Sequence, residues 1–501
     1  MMVTLCHRAL RPLVAVSVTA LLVGCAVVPV PFTQKEFSAK AKADRALMFN
    51  GQEPLSKPLT LPDAVARVLL YNLDKRSKMM EEALALGQLD LDHFDLLPKL
   101  TAGAGYANRS DHATTTSTDS VTLKPSLANP SYSLDRTRSL ANLGLTWNLL
   151  DFGVSYFNAH QNADRVLIAA ERRRKTVANL VQEVRFSFWK AAAAQVLKDK
   201  VVQTVAAAEA ALANSETVEA EKLRNPMDTL RLQKALLESI RQLEGIDQEL
   251  ITGKAELAAL TNMPPGSDFT LDLPGSGGMA IPQWPLTIDT MEEMALANNP
   301  DLREQDYQSR ISVADTRKEM LKLLPGVSLN FSRQYDSNSF LQENRWNEAG
   351  AQITWNLLNL LSAPARINQA KSTQQLVNAK RLALRMAVLA QVHVISSQYH
   401  SAAKQFERAD KLWSIEQRLA EASGNQQRSG TANEIERISV ETSAISSELR
   451  RFQTYAQLQS IFGKLQTTIG ADPISGQVDE LTLDGISKVV HLGTPLVGAA
   501  Q

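Results

Sequence analysis

The stretch LTWNLLD (residues 145–151) recurs as ITWNLLN (residues 353–359), 208 positions further along the chain. In both copies apolar and polar residues alternate up to the tryptophan, which is the period of a β-strand. Each copy is followed by a long segment without glycine or proline, residues 154–225 and 365–423. The repeated pattern therefore predicts a strand that leads into a long helix, once in each half of the chain.

Two further pairs of similar segments lie upstream of these stretches, at a spacing of 227. PLTLPD begins at Pro58 and PLTIDT at Pro285, and LLPKL begins at Leu96 and LLPGV at Leu323. The first copy therefore holds 19 additional residues, within the Ser/Thr-rich segment 110–131. Because the segments keep their order over the whole chain, the sequence indicates two repeats of one structural unit.

Each repeat has the same predicted order of elements, namely a helix, a pair of strands and a helical hairpin. The predicted bounds are 58–262 for the first repeat, with strands at about 98–150 and the hairpin at about 154–262, and 285–470 for the second, with strands at about 326–358 and the hairpin at about 363–470. Residues 263–284 are expected to be a linker or equatorial segment, residues 471–501 a C-terminal tail or equatorial segment, and residues 25–57 an N-terminal extended segment. The long helices would reach roughly 90–105 Å.

The predicted strands have one apolar face and one small, polar face. The apolar residues are Leu143, Leu145, Trp147 and Leu149 in the first repeat and Val327, Leu329, Phe331, Ala351, Ile353, Trp355 and Leu357 in the second. A half-buried strand of a soluble sheet would show a similar pattern. However, Ser, Thr and Asn on the second face favour a transmembrane strand, with lipid on one side and a wet lumen on the other.

The long helices carry apolar residues at heptad-like spacing, for example Val177, Leu180, Val181, Val184 and Phe188. This spacing is typical of the core of a coiled coil. Beyond the first 30 residues no segment is long and apolar enough for a membrane-spanning helix. If the chain crosses a membrane, we therefore expect it to do so with its strands.

The N-terminus has the order of a secretion signal, a basic start followed by an apolar run without charge over residues 12–24. The sequence Leu-Val-Gly-Cys that ends at Cys25 resembles the lipobox of bacterial lipoproteins. That resemblance implies a signal peptide over residues 1–24 and a lipid on the thiol of Cys25. A transmembrane anchor is the alternative, and Pro12 and Pro29 disfavour it.

Composition and motifs argue against several classes of function. The 53 basic and 53 acidic residues balance, so a nucleic-acid footprint is not indicated. Cys6 would leave with the signal peptide, so no disulfide is expected. The seven histidines are scattered without metal-ligand spacing, and no phosphate-binding loop or nucleophile motif occurs. We therefore expect neither an enzyme nor a bound metal or cofactor.

Four strands are too few for a membrane barrel, since bacterial barrels need about eight or more and an open edge is not tolerated in lipid. Several chains would have to share one barrel. The duplicated plan, the PLTLPDAVARVLLYNL and PLTIDTMEEMALANNPDL openings, the LLP before a strand and the TWNLLD at its end resemble the TolC-type outer-membrane efflux factors. The resemblance covers nearly the whole chain after the signal peptide.

This resemblance implies an internally duplicated α+β membrane protein with long α-helical hairpins and four β-strands per chain. Three chains would form a homotrimer with a shared 12-stranded transmembrane β-barrel in the outer membrane and an α-helical tunnel in the periplasm. A periplasmic adaptor (membrane fusion) protein and an inner-membrane pump would be its partners. The implied function is the exit channel of a tripartite efflux or type I secretion system; drug efflux and protein secretion would use the same duct.

The resemblance also points to the turns of the two hairpins. In the family a turn glycine is followed six residues later by an acid near the periplasmic constriction, which fits Gly430 and Glu436. Asp228 lies 208 residues before Glu436, with Lys222 in place of the glycine. Alternatively both acids are ordinary first-turn residues of a helix, and Glu434 competes with Glu436. The implied adaptor contacts are Leu223, Arg224, Arg428, Gly430 and Thr431.

A second class of function stays open at this point, a lipid-anchored periplasmic coiled-coil scaffold or adaptor protein. Such proteins also combine helical hairpins with β segments. An adaptor would have one hairpin inserted between the two halves of a lipoyl-like domain. The two hairpins of this chain, each preceded by its own predicted pair of strands, favour the channel.

Overall fold

The computed structural model describes residues 29–125, 131–221, 225–273, 279–428, 434–473 and 482–490. The chain divides into two compact units, Met1–Glu53 and Pro54–Gln501. The helices are α1 (Gln34–Met48), α2 (Leu61–Tyr71), α3 (Leu73–Asp95), α4 (Leu149–Ala220), α5 (Pro226–Leu260), α6 (Ile288–Asn298), α7 (Pro300–Leu321), α8 (Leu358–Arg428), α9 (Glu434–Thr468) and α10 (Leu483–Val489). The strands are β1 (Lys99–Asn108), β2 (Ala113–Thr115), β3 (Ser131–Leu134), β4 (Thr137–Asn148), β5 (Gly326–Asp336) and β6 (Arg345–Thr354).

The first unit contains helix α1, so the expectation of an extended segment over residues 25–57 was wrong for this part. Thr33 and Glu36 form a capping box, in which each side chain accepts a hydrogen bond from the other residue's backbone N–H. These reciprocal bonds satisfy two donors that a helix N-terminus otherwise leaves free. All 15 residues of α1 lie in the described part of the chain, and none of them is buried.

Within the second unit, the junctions between the short helices make the same hydrogen bonds in both sequence repeats. Asn72, between α2 and α3, accepts hydrogen bonds from the first turn of α3 and donates to the carbonyl of Leu260 (3.2 Å). Asn299, between α6 and α7, makes the same bonds 227 residues later and donates to the carbonyl of Thr468 (2.9 Å). In both repeats one asparagine therefore fixes the short helices to the end of the hairpin.

The two hairpins also end in the same way. Asn262 and Gly470, 208 residues apart, both have positive φ (55° and 71°). At each site the backbone N–H groups of this residue and the next return to the last turn of the helix, as in a Schellman motif. The repeat inferred from short sequence matches thus extends to the hydrogen bonds that terminate the helices.

The long helices begin five residues earlier than the sequence analysis predicted. Asn148 accepts hydrogen bonds from the N–H groups of Leu150 and Asp151, and Asn356 accepts one from Leu358. These caps start the helices directly after the strands, so Gly153 and Pro364 lie inside α4 and α8. Caps at the strand ends thus outweigh the helix-breaking tendency of the two residues.

Helices α4 and α8 have 72 and 71 residues, about 107 Å each at 1.5 Å per residue. Each folds back on a 35-residue helix, α5 or α9. The predicted coiled-coil stripe from Val177 to Phe188 is confirmed, because each of its five residues is at most 7% exposed. None of the helices in the described ranges combines the length and apolarity needed to cross a bilayer.

The four longer strands form one antiparallel sheet in the order β1-β4-β5-β6. Both predicted strand pairs are therefore present, and the second strand of one repeat pairs with the first strand of the other. Strands β2 and β3 form a separate small sheet that the sequence analysis did not predict. It begins inside the Ser/Thr-rich segment, of which residues 126–130 lie outside the described structure.

Candidate functional site

The strand register places most apolar side chains of the four strands on one face of the sheet, the apolar face; Leu140 and Trp346 lie on the other face. Leu145 lies between Leu100 of β1 and Phe331 of β5, and Phe331 in turn pairs with Ala349 of β6. In a soluble protein other elements would cover such a surface. Here Leu100 is 66% exposed, Phe331 52% and Ile353 71%. A single chain thus presents an uncovered apolar surface that spans the whole sheet.

Most residues of the opposite face are polar, and many are small; we call it the polar face. Thr101, Gly144 and Ser332 lie side by side across three strands, and Thr146 lies between Lys99 and Asn330. Charged residues on this face are Lys99, Arg138, Asp336 and Glu348. This alternation of lipophilic and hydrophilic faces is the arrangement expected for strands between lipid and water.

Aromatic side chains lie near both ends of the apolar face. Trp147 is near the helix-proximal end of β4, while Tyr106 pairs with Ser139 near the distal end, the end farther from the helices. Trp147 and Ser139 are eight residues apart on β4, about 26 Å at 3.3 Å per residue. At the tilt of roughly 35–45° usual for barrel strands, this length covers about 20 Å of membrane thickness, most of the apolar band of about 25 Å that aromatic residues edge in transmembrane barrels.

The distal end of the sheet is closed by a network between the two strand connections. The side chain of Asn338, which is 2% exposed, accepts from the N–H of Asp135 and donates to the carbonyl of Ser133. The hydroxyl of Ser339 donates to Asp135 (2.9 Å). A backbone hydrogen bond from Ser339 also lowers the pKa of the Asp135 carboxyl below its ordinary value. The connection that contains the 19 extra residues is thus tied to its counterpart in the second repeat.

Sequence reasoning missed this network, which links residues more than 200 positions apart. A local signal was present in the run Asp336-Ser337-Asn338-Ser339, because these residue types favour turns held by side-chain hydrogen bonds. The run favours a turn between β5 and β6. It contained no information about the partner segment near Asp135.

At the other end of the molecule, Asp228 and Glu436 occupy equivalent positions. Each is the third residue of its helix, α5 or α9, and each is exposed. Asp228 lies 3.9 Å from Arg231, its neighbour one turn on. Their place in the first helical turn is compatible with the capping alternative.

The other predicted tip residues divide between described and undescribed parts of the chain. Arg428 is the last residue of α8, is exposed, and donates to the side chain of Asn425 (2.9 Å). Leu223, Arg224, Gly430 and Thr431 lie outside the described residues, as does Cys25. The predicted adaptor contacts and the lipid site therefore stay predictions. Among the described residues, no three His, Cys, Asp or Glu side chains are arranged to hold a metal ion.

Comparisons with known proteins give a uniform result for the fold. No family model matches the chain, and no curated protein matches it. Among solved structures, the CmeC outer membrane channel of Campylobacter jejuni aligns with a TM-score of 0.62 at 11% identity, over 93% of this chain and 98% of that one. This chain has the TolC-type outer-membrane channel fold.

Two further channels show the same agreement. The open state of the MtrE outer membrane channel of Neisseria gonorrhoeae aligns with a TM-score of 0.62 at 16% identity, over 82% of this chain and 89% of that one. The outer-membrane channel OprN aligns with a TM-score of 0.61 at 19% identity, over 82% and 90%. The family resemblance predicted from the repeated motifs is therefore confirmed at the level of the TolC-type fold.

The equivalence of Asp228 and Glu436 within this fold leads to a prediction for ion flow. If three copies bring these acids around one axis, the like charges attract cations and exclude anions. In single-channel recordings of the purified protein, Glu436→Ala should weaken cation selectivity and block by trivalent cations, and Asp228→Ala should do so less. Unchanged selectivity and block in the double variant would leave only the capping role.

Proposed function

We propose that the chain is the outer-membrane exit channel of a tripartite efflux or type I secretion system, a passive trimeric duct from periplasm to exterior. One observation carries this proposal. A four-stranded sheet with an exposed apolar face is joined directly to helices about 107 Å long. The sheet suits a membrane, and helices of this length suit a duct across the periplasm.

The open edges of the sheet support assembly from several copies. Within the described residues, β1 and β6 each pair with a strand on one side only. Unpaired backbone groups at such edges cost several kcal/mol each in lipid, so the edges must be closed by other chains. Three copies would supply twelve strands, a number compatible with a closed barrel.

Exposed apolar residues on the helices also support this assembly. Leu84 of α3 is 75% exposed, and Leu382 and Met386 of α8 are 61% and 67% exposed. Such side chains on long rods favour contact with neighbouring copies over contact with water. In the proposed trimer they lie between protomers of the tunnel, whose far tips dock onto an adaptor and, through it, an inner-membrane pump.

Cell fractionation and channel recording test this function together. The full chain, expressed with its own N-terminus, should be found in outer-membrane fractions, migrate as a cross-linked trimer and form discrete conducting channels in planar bilayers. A protein that stays monomeric, does not conduct, and leaves the membrane fraction when Cys25 is replaced by serine would instead support the lipid-anchored scaffold.

The proposed N-terminal lipid gives a separate prediction. Labelled palmitate fed to cells should enter the natural chain and not the Cys25→Ser variant, because the thiol is the only acceptor that the lipobox-like sequence provides. The variant is still expected in the membrane through its strands. Equal labelling of the two proteins would contradict lipidation at Cys25.

The proposed orientation predicts that the segment 110–130 lies outside the cell. This segment connects β1 to the distal network, at the end of the sheet farthest from the helices. An epitope inserted beside Thr118 should bind antibody on intact cells, with an epitope between α4 and α5, at residues 222–224, as the matched control. Labelling of the first epitope only after permeabilisation would reverse the orientation.

A further inference from the structure

The apolar face of the sheet carries charge at one place. Two arginines, Arg333 of β5 and Arg345 of β6, are the charged residues that the register places on this face. Both side chains are exposed. The acids of the sheet, Asp336 and Glu348, belong to the polar face. The charge on the apolar face is therefore purely positive.

The two arginines are neighbours on adjacent strands. Arg333 pairs with Asn347, and Arg345 pairs with Tyr335, so the arginines are diagonal neighbours in the antiparallel ladder. The Cβ atoms of such a pair are about 7–8 Å apart, within reach of each other for long side chains. Their guanidinium groups can converge on one anion. An anion between them would also reduce the electrostatic repulsion between the two positive charges.

In the described part of the chain, neither guanidinium group has a carboxylate partner. Arg345 stacks over the ring of Tyr335, with its central carbon 5.7 Å from the ring centroid. Glu343, the acid nearest in sequence, lies in the β5–β6 connection and forms no ion pair with either arginine. An exposed charge on a lipid-facing surface is costly unless an opposite charge approaches it.

The position along the strands identifies the kind of anion. Arg345 is level with Ala141, two residues short of the distal edge at Ser139, and Arg333 is level with Leu143, two residues deeper. If the sheet spans the outer membrane as proposed above, this is the level of the outer leaflet. Arginine side chains there can extend toward the headgroups while their stems stay in the acyl region.

We propose that Arg333 and Arg345 form a binding site for a phosphate-bearing, acylated lipid of the outer leaflet. The two guanidinium groups bind the phosphate, with the fork geometry that arginine offers to such oxygens. The ring of Tyr335 lies against the Arg345 guanidinium group beside this site, and the acyl chains cover Phe331, Leu329 and Leu143. Each protomer holds one complete site, because both arginines belong to the same strand pair.

The test uses the purified full chain in detergent and a fluorescent diphosphorylated lipid A as probe. The natural chain should bind this probe, and Arg333→Gln with Arg345→Gln should bind it roughly tenfold or more weakly, because charge-assisted bonds to both groups are lost. Arg333→Lys with Arg345→Lys should be intermediate. The charge-matched control, Lys371→Gln with Lys404→Gln on α8, should bind like the natural chain.

Two comparisons separate the outcomes. Dephosphorylated lipid A should lose most of its affinity for the natural chain, and inorganic phosphate alone should not displace the lipid. Equal binding by the glutamine variant and the natural chain, or displacement by phosphate, overturns the lipid site. Since the inference rests on membrane insertion, the same preparation is recorded in bilayers. Absence of channels from the natural chain refutes the proposed function, whereas channels with arginine-independent binding refute only this site.

Discussion

Replacement of Gly470 by alanine is expected to lower the free energy of unfolding by about 2–5 kcal/mol, from left-handed backbone strain and steric overlap together. Gly470 has φ of 71°, and a Cβ there would lie 2.2 Å from the carbonyl oxygen of Asn298. The backbone of α6 cannot move away easily, because Arg174 donates to the carbonyls of both Asn298 and Gly470. The midpoint of denaturant unfolding of the full chain in detergent measures the loss.

Two other substitutions separate the causes. Gly266 also has positive φ (81°), but a Cβ added there would have no atom within 4 Å. Gly266→Ala should therefore lower the free energy of unfolding only by the backbone strain, about 1–2 kcal/mol. Gly470→Asn relieves part of this strain, as Asn262 does in the first repeat, but keeps the overlap with Asn298. If Gly470→Asn were as stable as the natural chain, the close contact between the hairpin end and α6 would be refuted.

The repeats and the strand faces could be predicted because both are written in local sequence. Alternation around Trp147 and Trp355 specified the faces of the sheet, and the apolar heptads of α4 specified its buried stripe. The starts of α4 and α8 were misplaced by five residues because the prediction rested on the segments free of glycine and proline, whereas Asn148 and Asn356 start both helices before Gly153 and Pro364. The hydrogen bonds of a capping side chain offset the cost of a glycine or proline in the first turns of a helix. Composition alone does not show which of the two effects is larger.

Other features could not be predicted because they depend on contacts between distant segments. The bonds between Asp135 and Asn338 join the two strand connections only after β4 has paired with β5. The register of β5 and β6 likewise pairs Arg333 with Asn347 and so brings it close to Arg345. Sequence alone gave the residue types at these places but not their partners.

The face assignment of the sheet leads to the second large effect. Leu145→Arg should cost about 1–3 kcal/mol for insertion into the membrane, because Leu145 lies between the midplane, where the penalty is about 2–4 kcal/mol, and the interface at Trp147, where it falls to about 0–1 kcal/mol. Leu145 lies between Leu100 and Phe331, within the apolar face, and no acid lies on that face of the sheet to pair with an arginine. The insertion equilibrium would shift by roughly 5-fold to 150-fold, so outer-membrane fractions should contain clearly less of this variant than of the natural chain.

Thr146→Arg is the matched control, since adjacent residues of a strand point to opposite faces. Thr146 lies between Lys99 and Asn330 on the polar face, where water can solvate an added guanidinium group. This variant should reach the outer membrane in normal amounts, and its channels should conduct cations less well because positive charge is added to the lumen. The opposite result, with Thr146→Arg absent from the membrane and Leu145→Arg inserted, would exchange the lipid and lumen faces. It would also transfer Arg333 and Arg345 to the pore, where the lipid site proposed for them could not exist.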